Sequence, residues 1–230
     1  MRKVFCFWEG YMPAYIKLCM QTWDFSYILL NYDNVNQYTN IDIDKLKRFT
    51  LPQQADVIRV HILRDNDGYW LDCDTIVLDD LPHFTMMGDT VKRTASISYL
   101  NTEPQTPMFE KWAQYQDDIY LSDRFKRSYK RKWALMGNSF LDNYIMKNFD
   151  ITIGNINFCF PEMELFEGND KWYKYQRFYF KLHYHLKDIK KTSLIMLHNS
   201  WTPEWYKQLS EEEVLNHKCT MSNFLREANQ

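Results

Sequence analysis

No stretch of this 230-residue chain approaches the ~20 consecutive apolar residues that a membrane-crossing helix needs. The first apolar run, Val4-Phe5-Cys6-Phe7-Trp8 behind Arg2-Lys3, is too short for the core of a secretory signal. An excess of one charge sign is missing too. Twenty-eight Lys and Arg stand against 30 Asp and Glu, a formal net charge of −2, so nothing draws the chain toward a polyanion and nucleic acid is not an expected partner. The five cysteines, at positions 6, 19, 73, 159 and 219, are odd in number and lack the close spacing of a metal site. They suit a reducing compartment, with thiols as small apolar fillers. Repeats and low-complexity linkers are also absent, which leaves no domain boundary to draw. The expectation is a soluble, cytoplasmic protein whose closest approach to lipid is peripheral contact at the cytoplasmic membrane face.

What the chain has is apolar material, 45% hydrophobic and 17% aromatic, enough for the core of one domain. Val4–Trp8 reads as a strand buried on both faces. Pro13 opens a helix through Thr22, with Ile16, Cys19, Met20 and Trp23 on its inner stripe. Phe25–Leu30 reads as a second strand, followed by turn-prone Asn31-Tyr32-Asp33-Asn34. Asp42 is placed to cap a short helix over Ile43–Phe49. Alternating strand and helix is βαβ order and predicts a parallel sheet.

Residues 53–78 organise the rest. Pro52 sits in the first turn of a helix, where a missing N–H costs nothing. Val57, Ile58, His61 and Ile62 give that helix an apolar side, and Asp67-Gly68 is expected to end it with a left-handed glycine. Tyr69-Trp70-Leu71 then reads as a strand running into Asp72-Cys73-Asp74. On an extended segment, Asp72 and Asp74 point to the same side. Two such carboxylates repel each other, and a divalent cation removes the conflict. Carboxylate oxygens suit Mg²⁺ or Mn²⁺ and leave positions open for substrate oxygens, as in a diphosphate. Asp65-Asn66-Asp67-Gly68 is no EF-hand loop, since its Gly comes fourth rather than sixth. Asp56 and Arg59 are three apart on the helix and can pair; a surface ion pair is the plain alternative.

Ala55-Asp56-x-x-Arg59 followed by Gly68-x-x-x-Asp72-x-Asp74 resembles the sugar-binding region of DXD-containing retaining glycosyltransferases. That group includes capsular polysaccharide synthesis proteins and fungal mannosyltransferases, and more distantly the clostridial glucosylating toxins. Asp67 stands where the family often has a second Gly. The resemblance implies an α/β fold of the GT-A type, a Rossmann-like, mostly parallel sheet flanked by helices. It implies that Asp72, Cys73 and Asp74 meet a metal-bound nucleotide diphosphate and that Asp56 and Arg59 touch the donor sugar. It further implies that Phe7 and Trp8 stack on the base at the end of strand one, with Trp8 as core the equal alternative. Asn31 is a candidate nucleoside contact, although turn formation is its simpler role.

Beyond the acidic pair, Asp79-Asp80-Leu81-Pro82 is a turn and Lys92–Leu100 a strand with Ala95, Ile97 and Tyr99 on one face. Thr106 and Pro107 begin a helix to about Leu121, carrying Phe109, Trp112, Ala113 and Gln116 along it. Asp123–Lys132 is a basic loop that reads either as a solvated charge run or as a steering patch for an anionic donor or lipid-linked acceptor. Trp133–Leu141, broken at Gly137-Asn138-Ser139, resembles the family's glycine turn before an acceptor-side helix. Asn138 replaces the usual Pro and is a candidate for reaching donor or metal. Ile151–Phe160 reads as short strands ending at Pro161. Residues 171–187 mix aromatics with cations, either completing the core or forming a basic, aromatic-anchored surface. Leu194–Leu197 is a strand running into His198-Asn199-Ser200-Trp201, which resembles the family's C-terminal His…Ser-Trp motif. There the His completes the metal or diphosphate site, while the Ser hydroxyl and Trp N–H suit a phosphate oxygen. Ser210-Glu211-Glu212-Glu213 is a capping box; Pro203–Leu209 with the helix it opens is a candidate lid.

The chain is thus expected to be one glycosyltransferase domain over residues 1–230, with a nucleotide-sugar half (1–80), an acceptor-side half (81–190) and a closing segment (191–230). The implied activity is metal-dependent transfer of a hexose from a nucleotide sugar, UDP by default, to a glycan or lipid-linked hydroxyl, with retention. Asp72, Asp74 and His198 would hold Mn²⁺ or Mg²⁺. The alternatives are a nucleotide-sugar hydrolase on the same scaffold and a catalytically inactive module that binds a nucleotide sugar or a partner.

Overall fold

A computed structural model describes residues 2–89, 94–102, 106–123, 126–132, 134–155, 170–189 and 192–230. In chain order the elements are β1 (Lys3–Phe7), α1 (Ala14–Gln21), β2 (Tyr27–Leu30), α2 (Ile43–Leu46), α3 (Leu51–Asp65), β3 (Gly68–Leu71), β4 (Thr75–Val77), β5 (Met86–Asp89) and β6 (Thr94–Thr102). Then come α4 (Pro107–Tyr120), α5 (Asn138–Phe140), α6 (Met146–Asn148), β7 (Ile153–Asn155), α7 (Lys171–Lys181), β8 (Leu194–Met196), α8 (Glu204–Lys207), α9 (Glu211–Asn216) and α10 (Thr220–Ala228). The chain divides into two compact units: 1–9 with 26–71 and 83–154, and 10–25 with 72–82 and 155–230. The expected strand residues Lys92, Arg93 and 156–161, together with Arg124, Trp133 and Cys159, lie outside the described residues.

The first unit is built on a sheet in the order β2-β1-β3-β6-β5-β7. β1 pairs in parallel with both β2 and β3, as the βαβ order requires. β6 then enters antiparallel to β3, and β5 antiparallel to β6. The α/β class and the parallel β2-β1-β3 group match the expectation and are compatible with a Rossmann-like GT-A fold. α3 covers this sheet, packing on β1, β3 and β6, and α4 packs on α3. The Gln53 side chain accepts from the Thr50 N–H at 3.1 Å and from its hydroxyl at 2.9 Å, which closes the start of α3 with Pro52 in its first turn. α3 is buried well beyond one stripe: Gln53, Gln54 and Asp56–Leu63 are all buried.

The helix stop differs from expectation. Asn66 ends α3 in an extended conformation, and Gly68 does not cap it. Gly68 is the first residue of β3, at φ +152° and paired with Lys3, and a Cβ there would lie 2.1 Å from the Lys3 carbonyl oxygen. Its role is the close approach of two parallel strands.

In the second unit, β4 and β8 form an antiparallel ribbon. α1 packs on β4 and α9, and α10 packs on α7 and α9. Pro13 caps α1 and Thr22 closes it; Ile16, Cys19, Met20 and Trp23 are buried as the spacing predicts. The Ser210 hydroxyl accepts from the Glu213 N–H at 3.2 Å while the Glu213 carboxylate takes the Ser210 N–H at 2.8 Å, the reciprocal box read from the sequence. Cys6, Cys19, Cys73 and Cys219 are buried and in no disulfide. Among the described residues no helix is long and apolar enough to cross a membrane.

One core residue of α3 carries a pH signature. His61 is 1% exposed, with no hydrogen-bond partner at either ring nitrogen among the described residues. Burial, helped by the Arg64 charge, pushes its pKa down to about 3. The 3.3 Å approach of its Nε2 to Asp117 therefore involves a neutral imidazole and is not an ion pair. A group whose pKa is lowered by folding binds its proton more readily unfolded, so its contribution is full above about pH 6.5 and is lost as pH falls toward 3. Burial pushes Asp117 up, which acts in the opposite sense, but its side chain is 32% exposed and solvent weakens the effect. His61→Phe should accordingly flatten the acid side of the stability curve. The native protein should lose on the order of 1 kcal/mol per pH unit relative to the variant below pH 6.5. Urea titrations at several pH values check this, and parallel profiles would contradict it.

Candidate functional site

In the first unit, Phe7 ends β1 with 8% exposure, its ring 5.8 Å from that of Tyr32. Trp8 follows half-buried, its main-chain N–H donating to the Leu30 carbonyl at 3.0 Å. The Asn31 side chain accepts from the N–H groups of Asp33 and Asn34 at 2.9 and 3.1 Å, so it builds the turn after β2. Asp56 and Arg59 are 6% and 5% exposed, with Arg59 Nη2 3.4 Å from Asp56 Oδ1. The plain surface-pair alternative is therefore wrong: α3 is covered on nearly all sides. Arg59 also donates to the carbonyl of Ile97 and stacks on Trp70 at 5.2 Å.

Gly137 lies beside that pair. A Cβ on it would come within 2.8 Å of Asp56 Oδ2 and 2.5 Å of Ile97 Cδ1, so a larger residue here would have to displace those side-chain ends. The turn is pinned from α4, where Gln116 donates to the carbonyls of Asp56 (3.0 Å) and Met136 (2.6 Å) and Trp112 donates to Met136 at 3.2 Å. Asn138 opens α5 directly after the turn, and its Oδ1 is buried with no hydrogen-bond partner among the described residues. The sequence placed Gln116 only on an apolar helix stripe; its clamp has no local signature.

In the second unit, Asp72-Cys73-Asp74 is a turn rather than an extended segment. The alternation argument that put both carboxylates on one side therefore does not apply. Cys73 is buried between two half-buried aspartates. β4 begins at Thr75 and pairs with Met196 in β8, which delivers His198–Trp201 beside Asp74. The Asp74 carbonyl accepts from Leu197 N–H at 3.0 Å, and its Oδ2 accepts from Asn199 N–H at 2.8 Å. Tyr15 donates to Asn199 Oδ1 at 2.5 Å. Burial first, then the Asp74 charge, raise the pKa of both Tyr15 and Cys19, so the carboxylate faces a neutral phenol and a neutral thiol. Sequence reasoning missed Tyr15 and Asn199; Asn199 was visible only by lying between His198 and Ser200.

His198 is half-buried, its ring 4.2 Å from that of Trp201 and 5.6 Å from Tyr175. Its main-chain N–H donates to the Tyr175 hydroxyl at 3.2 Å. Burial, with Lys171 nearby, pushes its pKa down to about 4, so at neutral pH it presents a neutral ring, the form that binds metals. Ser200 is exposed and Trp201 half-buried in a short 3₁₀ turn. His183 and His185, two apart, could share a metal only on a strand; they lie on none, and His185 is paired with Glu227.

Among the described residues, no three His, Cys, Asp or Glu side chains are arranged to hold a metal ion. Asp72, Asp74 and His198 thus do not form a ready cage. The donor set does fit a hard divalent ion taken up through one or two carboxylates with the remaining positions left to water and phosphate oxygens, the usual manner of Mg²⁺.

A family model described as capsular polysaccharide synthesis protein matches residues 2–161. The match covers Asp56, Arg59, Asp72 and Asp74 and ends before His198. No curated protein matches the chain significantly.

The buried pair in the first unit yields a direct test. Arg59→Met leaves the Asp56 carboxylate inside without its guanidinium, and breaking a buried pair from one side costs roughly 3–5 kcal/mol. A thermal or urea midpoint checks it, and a change within about 0.5 kcal/mol would place the pair among ordinary surface contacts.

Proposed function

The chain belongs to the capsular polysaccharide synthesis protein family, and on that premise we propose that it is a metal-dependent glycosyltransferase. It moves a hexose from a nucleotide sugar, with UDP as the nucleotide, to a hydroxyl of a glycan or lipid-linked acceptor, with retention at the anomeric carbon. The observation that carries this reading is the joining of Asp74 to the His198–Trp201 turn through its main-chain carbonyl and its carboxylate. Two stretches singled out separately as diphosphate-binding are neighbours in space.

Breaking the glycosidic bond to a nucleoside diphosphate builds positive character on the sugar and negative charge on the leaving β-phosphate. Groups that are fixed beforehand and aimed at that charge lower the barrier most. Asp72 and Asp74 would hold Mn²⁺ or Mg²⁺, which supplies Lewis-acid stabilisation of the leaving diphosphate when bound. Asn199, by donating its N–H to Asp74 Oδ2, fixes the direction of that carboxylate. Ser200, exposed to solvent, and the Trp201 indole N–H would donate to phosphate oxygens. Neutral His198 gives a borderline nitrogen beside the two carboxylates. Asp56 and Arg59 are assigned the donor-sugar hydroxyls, and their burial, together with the side-chain-free approach of Gly137, supports a fixed orientation. Phe7 and Trp8 are assigned the base, with Asn31 shaping the turn beside them.

Release of UDP or GDP, respectively, from a panel of UDP- and GDP-sugars, with Mn²⁺ and with EDTA, tests the proposal. Asp74→Asn should lower metal-dependent turnover by about 10²–10³-fold in a folded protein. Trp201→Ala should weaken donor use by roughly five- to tenfold, the worth of one hydrogen bond. Full turnover in Asp74→Asn would remove the acidic turn from the site. An unfolded Trp201→Ala would make that ring part of the core instead. Binding of a nucleotide sugar with no turnover on any acceptor would favour the inactive module.

A further inference from the structure

Residues 171–187 contain five Lys and Arg and no Asp or Glu. α7 sorts this composition onto two faces. Tyr175, Phe178, Tyr179 and Phe180 are buried. The Tyr175 hydroxyl accepts from His198 N–H, and Gln176 donates to the Trp201 carbonyl at 3.0 Å. The inner face therefore completes the core and braces the His198–Trp201 turn.

The outer face is different. Lys171, Trp172, Tyr173, Arg177 and Lys181 are exposed. Tyr173, Arg177 and Lys181 are spaced by four and form one stripe along the helix; Lys181 Nζ lies 5.5 Å from the Tyr173 ring centre. Trp172 and Tyr173 keep 53% and 52% of their surface in solvent. A solvated helix face has use for the cations but none for a large exposed indole among them. Cations with Trp and Tyr are what a bilayer interface selects: anionic headgroups attract the charges, and amphipathic rings settle at headgroup depth.

We propose that the outer face of α7 docks the protein on a bilayer surface bearing anionic lipid. Successive helix residues are about 100° apart, so Trp172 and Tyr173 do not form one flat platform for a sugar ring. Each can anchor separately in headgroups, which favours lipid over a dissolved anionic glycan. The other basic segment, residues 126–132 of the first unit, exposes Lys126, Lys130, Arg131 and Lys132, but its one aromatic, Tyr129, is half-buried. Among the described residues it has charge without an exposed aromatic. Docking rests on α7 alone; joined to the transferase reading, it brings the phosphate-binding turn braced by the inner face of α7 to the surface that holds a lipid-linked acceptor.

The test is co-sedimentation of the full chain with phosphatidylcholine vesicles containing or lacking phosphatidylglycerol, in EDTA and without nucleotide, so that its outcome is independent of sugar transfer. Binding should require phosphatidylglycerol and weaken as salt screens the headgroups. R177E/K181E should lower partitioning at least about tenfold, W172A/Y173S should weaken it further in high salt, and K130S/R131S/K132S should leave it unchanged. Circular dichroism melting checks each variant for folding; if R177E/K181E does not fold, K171S/R177S makes the same comparison. Equal binding to both vesicle types, loss confined to K130S/R131S/K132S, or capture by a soluble anionic polysaccharide without vesicle binding would overturn the proposal. Vesicle binding by a protein that releases no nucleoside diphosphate from any sugar nucleotide would sink the transferase reading and leave the docking standing.

Discussion

The antiparallel pairing of β4 with β8 is the constraint on which the candidate chemistry depends. It is short, with Thr75, Ile76 and Val77 facing Met196, Ile195 and Leu194, yet it joins parts of the chain 125 residues apart at the Asp74–Asn199 hydrogen bond. Every strand residue in it is buried, so a slip by one residue would exchange the side chains between two packed faces and force all six to repack. That burial fixes the register, and the register decides that His198-Asn199-Ser200-Trp201 emerges beside Asp74. The turn geometry of the acidic pair follows from where β4 begins.

A different logic governs the first unit. There the cost falls on polar groups taken out of water within α3, and each is answered by a specific partner: Gln53 by the carbonyls of Tyr129 and Lys132, Gln54 by Phe49, Asp56 by Arg59. A helix with this many buried polar residues tolerates few alternative packings, since a displaced partner leaves an unsatisfied group inside. Gln116, reaching from α4 to both Asp56 and Met136, extends the same restraint to the Gly137 turn. His61 is the exception, with no hydrogen-bond partner among the described residues and held neutral by burial together with the Arg64 charge.

Much of the local structure was legible in the sequence because its causes are local. Pro13, Asp42, Thr106-Pro107 and the Ser210–Glu213 box start helices where the sequence places them, and the aromatics of 171–187 supply a packing face as well as an exposed one. What could not be read depends on partners distant in the chain. Spacing by three showed that Asp56 and Arg59 can pair but not that β1, β3, β6 and α4 bury them. Gly68 looked like a helix stop because its steric conflict with Lys3 lies 65 residues away. The acidic pair was read as extended because the strand before it is, whereas the chain turns at Cys73 to enter the β4–β8 ribbon. The sequence order implied parallel strands, whereas β6 enters antiparallel between β3 and β5, a pairing between distant segments that strand-helix alternation does not encode. The fold class followed from alternating elements; the arrangement around Asp74 required the fold itself.

The measurement that bears most directly on the central claim is calorimetric titration of UDP into the protein with Mn²⁺ and again with EDTA. The account predicts binding that depends on the metal and is reduced by loss of the Asp74 carboxylate. Absence of UDP and GDP binding in a folded sample, or UDP binding that is indifferent to both Mn²⁺ and Asp74, would contradict it and leave the acidic turn as a structural feature of the β4–β8 junction.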